Sequence, residues 1–167
     1  MSSELNNMKL LLFFLFSFAL LISSCKKDPL PTFYFQCKVD GVLYEPDNCA
    51  NCNPKDMYAD TIMIIGASRG NEAIGLGFMK HNLGIGTYTL LKNITEGNGT
   101  GSYDNTIGNP TDIFRTDSLR SGTINITELD KSNKIIEGSF AFDAFNISQN
   151  KIVKITQGKF RLKYRIY

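Results

Sequence analysis

The chain is poor in the residues on which many catalytic and metal sites depend. Its 167 residues include a single histidine, His81, and four cysteines. Any mechanism that needs a histidine must therefore use His81, and neither a nucleophile-elbow motif nor a P-loop motif is present. We expect no enzymatic activity and no cofactor. A hydrolase with paired carboxylates is the weaker alternative, because the spacing of such pairs is set only in three dimensions.

Charge is also scarce and almost balanced. Charged residues make up 20% of the chain, and the formal net charge is +2. So small a charge does not indicate nucleic-acid binding, and we expect none. The composition excludes collagen, a coiled coil and a long disordered chain. The length fits one domain.

The N-terminal apolar run is too short to cross a membrane. It covers residues 10–22, whereas a spanning helix needs about 20 residues. The run follows Lys9 and leads into Ile22-Ser23-Ser24-Cys25, which resembles the lipobox of bacterial lipoproteins. The resemblance implies a signal peptide over residues 1–24 and acyl chains on Cys25 that anchor the protein without spanning the bilayer.

The same resemblance divides the rest of the chain and gives it a location. Residues 25–32 form the lipidated cysteine and a tether with two prolines, and residues 33–167 form the folded domain. Lys26 follows Cys25 where inner-membrane lipoproteins often carry Asp, which implies transfer to the outer membrane. The sequence leaves open whether the domain faces the periplasm or the cell surface.

The domain carries strand signals from residue 33 to its end. Alternating or β-branched runs predict strands at residues 33–39, 42–44, 61–67, 73–79, 86–91, 101–103, 121–129, 135–145 and 159–167. Asp40-Gly41 predicts a tight hairpin turn. We therefore predict an all-β fold, an antiparallel β-sandwich of about eight or nine strands, with a lipocalin-like β-barrel as the alternative.

Several short motifs occur in an order that resembles a known group of proteins. They are residues 35–41 (FQCKVDG), 86–90 (GTYTL), 121–127 (SGTINIT), 137–142 (EGSFAF) and 155–160 (ITQGKF). Together with the lipobox they resemble uncharacterised single-domain lipoproteins of Bacteroidota-type bacteria. The resemblance implies a β-rich extracytoplasmic domain and supplies no catalytic residues.

With Cys25 acylated, three cysteines are left to consider. An oxidising compartment favours a disulfide between two of Cys37, Cys49 and Cys52. The weaker alternative is a zinc site formed by these three cysteines and His81. The disulfide is the main interpretation and we expect no metal, because the Cys-x-x-Cys pair has no second closely spaced pair of ligands.

The last predicted strand places four basic residues on one face. They are Lys159, Arg161, Lys163 and Arg165, and they alternate with apolar residues. One interpretation is a face for an anionic ligand such as a glycan, a lipid phosphate or a membrane surface. The alternative is a solvated outer face whose charge is neutralised by acidic side chains on a neighbouring strand.

These features favour a non-catalytic binding module for a glycan or an envelope protein. The alternative is a structural or accessory subunit of an envelope assembly. Four tyrosines are candidates for stacking on sugars: Tyr34, Tyr44, Tyr58 and Tyr103.

Overall fold

A computed structural model of the chain describes residues 33–46, 62–79, 83–95 and 97–163. This part is all-β, as predicted, with ten strands and one 3-10 turn at Pro110–Asp112. The strands are β1 (Tyr34–Val39), β2 (Val42–Tyr44), β3 (Ile62–Arg69), β4 (Glu72–Met79), β5 (Gly86–Leu90), β6 (Asn98–Asp104), β7 (Ile113–Arg115), β8 (Gly122–Asp130), β9 (Ile135–Asn146) and β10 (Lys151–Lys163). The predicted signal peptide, Cys25 and the tether lie outside the described residues.

The turn between β1 and β2 is the predicted hairpin. Asp40 and Gly41 both have positive φ, 49° and 84°, as a two-residue turn between twisted strands requires. Glycine adopts such an angle without steric cost, and Asp tolerates it better than most residues do.

Backbone pairing closes five of the strands into a ring. The ring runs β9–β8–β5–β6–β7, and β7 returns to β9 where Arg115 pairs with Phe145. Strands β10, β1 and β2 extend the sheet beyond β9, while β4 and β3 extend it beyond β6. The closed ring agrees with the barrel alternative at this coarse level, and the sandwich is not confirmed. The β5–β6 pair is parallel, unlike every other pair in the described part.

Two differences from the predicted strands have local causes. Strand β7 has three residues, too few to display a period of two. Strand β10 begins at Lys151, well before the predicted start at residue 159. Its register shifts between Ile155 and Gly158, where Gln157 has φ 55°. This bulge changes the phase of the alternation and hides the first half of the strand from a pattern search.

The inward faces of the strands form one filled core. Phe35, Phe140 and Phe160 pack ring against ring, with centroids 5.2 Å and 6.2 Å from Phe140. Ile124 and Ile126 point inward, as predicted, and are fully buried. Burial of each such side chain contributes about 1.5–3 kcal/mol, so the core supplies most of the favourable free energy of folding.

The molecule has two ends that differ in their connections. The first, which we call the Phe33 end, holds Phe33, Lys163 and the turn at residues 131–134, because Tyr34 pairs with Arg161 and Lys163 with Ile135. The second, the Asp40 end, holds the turns at residues 40–41, 70–71 and 147–150 and the loop at 105–112, which are joined by backbone and side-chain hydrogen bonds.

Candidate binding surface

The recess that the described residues form at one edge of the sheet is too shallow to enclose a ligand. It lies between the ends of β4 and β5, has a volume of about 170 Å³, open solvent included, and is lined by Phe78, Leu83, Tyr88 and neighbouring residues. Sites for small molecules usually enclose about 300–1,000 Å³. The outer faces of the strands are therefore the better candidates for a binding surface.

The predicted basic row begins on one of these outer faces. Lys159, Arg161 and Lys163 alternate along β10 with the buried Phe160 and Leu162. Arg165 lies outside the described residues. The two lysines are exposed, and the structure gives neither of them a salt bridge within the described part.

Arg161 is the exception in this row, because its charge is already balanced. Its Nη1 contacts Glu128 on β8 at 2.5 Å and also Glu137 on β9. Tyr34 on β1 donates a hydrogen bond to Glu137 at 3.3 Å. The two carboxylates raise the pKa of Arg161. Together with Tyr34, these three side chains form a salt-bridged row across four strands, which leaves no free positive charge.

A second row of outward side chains crosses five strands one step away. We call it the polar row, and its members are consecutive register partners: Gln36, Lys159, Ser139, Asn125 and Thr87. Thr87 donates to the side-chain oxygen of Asn125 at 3.2 Å. Neighbouring strands lie about 4.8 Å apart, so the row is about 19 Å long. It presents an ammonium group, two amides and two hydroxyls to solvent.

The tyrosines do not provide a stacking surface for sugars in the described part. Tyr44 and Tyr103 face the core and are 0% and 4% exposed. Tyr34 is half-buried, and Tyr58 lies outside the described residues. The stacking interpretation is therefore wrong for Tyr44 and Tyr103.

A charged cluster that the sequence analysis missed surrounds these two tyrosines. In this Arg69 cluster, Nε and Nη2 of Arg69 donate to one carboxylate oxygen of Glu72 at 3.0 and 2.6 Å. The Arg69 guanidinium lies over the Tyr44 ring, 4.7 Å from its centroid, and Nη1 donates to the carbonyl of Leu43 at 2.9 Å. Tyr103 donates to the other Glu72 oxygen at 2.7 Å.

The cluster is satisfied and therefore structural. Burial by itself would raise the pKa of Glu72, but hydrogen bonds from Tyr103 and Arg69, together with the Arg69 charge, hold that pKa below its usual value. Burial is also the main cause that raises the pKa of Tyr44. Opposite charges at Arg69 and Glu72, facing each other across the turn at 70–71, were the sequence signal that could have revealed the pair.

Cys37 lies in the core beside this cluster. It is 1% exposed, and burial raises the pKa of its thiol to about 12. At neutral pH it is therefore an uncharged thiol. Cys49, Cys52 and His81 lie outside the described residues, so the disulfide and the alternative zinc set stay predictions. Within the described residues, no three His, Cys, Asp or Glu side chains are placed to hold a metal ion.

The comparisons with known proteins give a family but no activity. A family model described as a domain of unknown function, DUF6252, matches residues 31–162. The chain belongs to this family. No curated protein and no solved structure matches it. In the part of the DUF6252 domain that the structure describes, no helix has the length and apolar character to cross a membrane.

Proposed function

We propose that the DUF6252 domain is a non-catalytic binding module that binds a glycan across the polar row. In this proposal a lipid on Cys25 anchors it to the outer membrane, on the periplasmic face or at the cell surface. The polar row carries the proposal. It sets hydrogen-bonding side chains side by side over about 19 Å of open sheet, which suits an extended ligand with many hydroxyl groups.

The charge of the row narrows the class of glycan. Lys159 is exposed and without a salt bridge in the described part, whereas Arg161 on the same strand is neutralised. An unpaired ammonium beside amides and hydroxyls favours an acidic polysaccharide over a neutral one.

A panel of immobilised acidic and neutral polysaccharides tests this binding. We expect K159Q combined with N125A to weaken binding to an acidic glycan at least tenfold. The matched control combines K151Q with S68A, which are exposed positions away from the row, and it should bind like the parent. Equal binding by the two variants, or no binding to any member of the panel, would contradict the proposal.

The anchor needs a separate experiment. The intact mass of the N-terminal peptide should show acyl chains on Cys25, and C25S should abolish them. Protease treatment of intact and of lysed cells then tests which side of the outer membrane the domain faces. Digestion only after lysis would mean that the domain is in the periplasm. An unmodified Cys25 would remove the membrane part of the proposal and leave the glycan part to its own test.

A specific observation supports the alternative of an accessory subunit. Large apolar side chains are exposed toward the Asp40 end, among them Val42 at 66% and Ile147 at 86%. Exposed apolar side chains of this kind suit a protein partner. Crosslinking in cells followed by identification of the captured envelope protein tests it, and V42S with I147S should abolish the crosslink.

The geometry of the carboxylates gives little support to the hydrolase alternative. Glu128 and Glu137 are register partners and so come together, but both are bound by Arg161. They stand on an outward sheet face and not in a cleft. This arrangement favours a structural salt bridge over an acid–base pair.

A further inference from the structure

The position of Phe33 sets which end of the domain would face a membrane. Phe33 directly precedes β1 and lies at the end that also holds Lys163 and the turn at residues 131–134. The tether from Cys25 to residue 32 has eight residues and spans at most about 28 Å when fully extended. On the anchoring proposed above, the Phe33 end is therefore held close to the bilayer.

Basic side chains are in excess at the Phe33 end. Lys131, Lys134 and Lys163 are exposed, and none forms a salt bridge within the described part. We call these three residues the lysine rim. They lie together because Asp130 and Lys163 both pair with Ile135, at the start of the turn that carries the other two lysines.

The acidic groups at the same end are engaged by the fold. Glu128 and Glu137 hold Arg161. The Asp130 carboxylate accepts hydrogen bonds from the backbone amides of Ser132 and Asn133, at 2.9 and 2.8 Å, and from the Asn133 side chain. Hydrogen bonds do not cancel the charge of Asp130, so four basic residues at this end, Arg161 and the three lysines, stand against three carboxylates and leave one net positive charge.

The Asp40 end has no comparable excess of one sign. Lys151 and Lys154 are exposed there, and Asp40, Asp112 and Asp143 lie among them. The carboxylate of Asp40 accepts a hydrogen bond from the backbone amide of Lys154 at 2.8 Å. The two ends therefore differ in charge as well as in their distance from the tether.

We infer that the lysine rim rests against phosphate-bearing lipid headgroups of the membrane that holds the anchor. This inference depends on the lipid anchor of the proposed function and adds the orientation of the domain to it. Anionic headgroups attract nearby lysines, and salt screens the attraction over about 8–10 Å. The rim would fix the Phe33 end against the bilayer and leave the Asp40 end and its apolar side chains outermost.

Amine footprinting of the full, acylated chain tests the orientation. The chain is reconstituted in vesicles of phosphatidylcholine alone or mixed with phosphatidylglycerol, and acylation of each lysine is followed by mass spectrometry. With phosphatidylglycerol, we expect the rim lysines to react at least fivefold more slowly than Lys151 and Lys154. The protection should fall at high salt. Equal rates, or the same protection in both kinds of vesicle, would overturn the inference.

A partition experiment gives a second and independent readout. The acylated chain is mixed with both kinds of vesicle, which are then separated. Because each lysine near an anionic surface contributes about a fivefold preference, three should give on the order of a hundredfold. K131Q/K134Q/K163Q should lose most of this preference, and K38Q/K151Q/K154Q should keep it.

The two proposals fail in distinguishable ways. An unacylated Cys25 in the N-terminal peptide contradicts the anchor. An acylated Cys25 without preference for phosphatidylglycerol contradicts the lysine rim alone. Because all three rim positions are exposed, the triple variant should keep the parent's melting temperature, and this measurement shows that a lost preference is not a loss of fold.

Discussion

The sheet is closed in two places by two different kinds of interaction. At β7, backbone pairing joins β6 to β9 and completes the ring. At the Arg69 cluster, side chains join β2 to β3, which are the two ends of the strand order. A strand of three residues closes the first gap because it pairs on both sides. The second gap is bridged by a cation over a ring and by hydrogen bonds from long side chains.

The two closures differ in how deeply their side chains are buried, and this difference sets how much stability each contributes. The ring closure buries Phe114 and Thr116, which are 2% and 1% exposed. In the Arg69 cluster, the side chains of Arg69 and Glu72 are 34% and 27% exposed. Solvent weakens charge interactions at such positions. We therefore expect the ring closure to tolerate substitution far less well than the Arg69 cluster.

The largest effect is expected from removal of the side chain that holds β7 in place. Phe114 packs against Tyr103, with ring centroids 5.8 Å apart, and F114A should lower the free energy of unfolding by about 3–5 kcal/mol. Urea unfolding measures this change. The control is I113A on the same strand, where the side chain is only half-buried. A cost for F114A no greater than that of I113A would show that β7 does not hold the ring together.

The next effect concerns the polar contact that continues β7. Thr116 donates its hydroxyl hydrogen to the carbonyl of Leu91 at 2.6 Å and accepts from the amide of Gly101 at 2.9 Å. T116V leaves these buried groups without that partner, so it should cost about 1–3 kcal/mol. T123V, at an exposed position on β8, should change the unfolding free energy by less than about 0.5 kcal/mol. Equal losses of unfolding free energy for T116V and T123V would show that the Thr116 hydrogen bonds do not stabilise the ring closure.

A smaller effect is expected at the Arg69 cluster. R69M removes the contact with the Tyr44 ring and the bond to Leu43, and it should cost about 1 kcal/mol. Thermal melts at low and high salt measure it, and the loss should shrink at high salt. R115M is the control, because Arg115 is exposed and forms no salt bridge in the described part. A loss of unfolding free energy for R69M as large as that for F114A would contradict the expectation that the Arg69 cluster contributes less stability than the ring closure.

The smallest effect is a dependence on pH. The pKa of Glu72 is lowered in the folded state, so the stability that it contributes is present above pH 4.5, the ordinary pKa of this group. It is lost as the pH falls through the folded pKa. Between pH 6 and pH 3, the parent should lose more unfolding free energy than E72Q does. Parallel curves for the two proteins would show that the Glu72 hydrogen bonds do not stabilise its ionised form.

The sequence predicted most strands because their evidence is local. Alternation correctly placed Phe140, Phe142 and Ala144 on the buried side of β9, and Asp40-Gly41 correctly marked a turn. The same alternation failed where the regular period was too short or interrupted, in β7 and at the Gln157 bulge of β10.

The candidate site was predicted only in part, because it depends on residues far apart in the chain. Alternation put Lys159, Arg161 and Lys163 on one face, but it gave no means to know that Arg161 meets Glu128 and Glu137, 33 and 24 positions away. The polar row was likewise invisible, since its five members come from five strands. The burial of Tyr44 and Tyr103 follows from what packs over them and not from their neighbours in sequence.

Local patterns in the chain were sufficient to predict the all-β class, the faces of most strands and the turn at Asp40-Gly41, because each of these depends on residues within a few positions of one another. Contacts between distant parts of the chain set the parallel placement of β6 beside β5, the closure of the ring through Arg115 and Phe145, and which charges remain unpaired. The physical reason is that hydrogen-bond register and ion pairing are interactions between separate strands. A strand's own pattern specifies its two faces but not its neighbours.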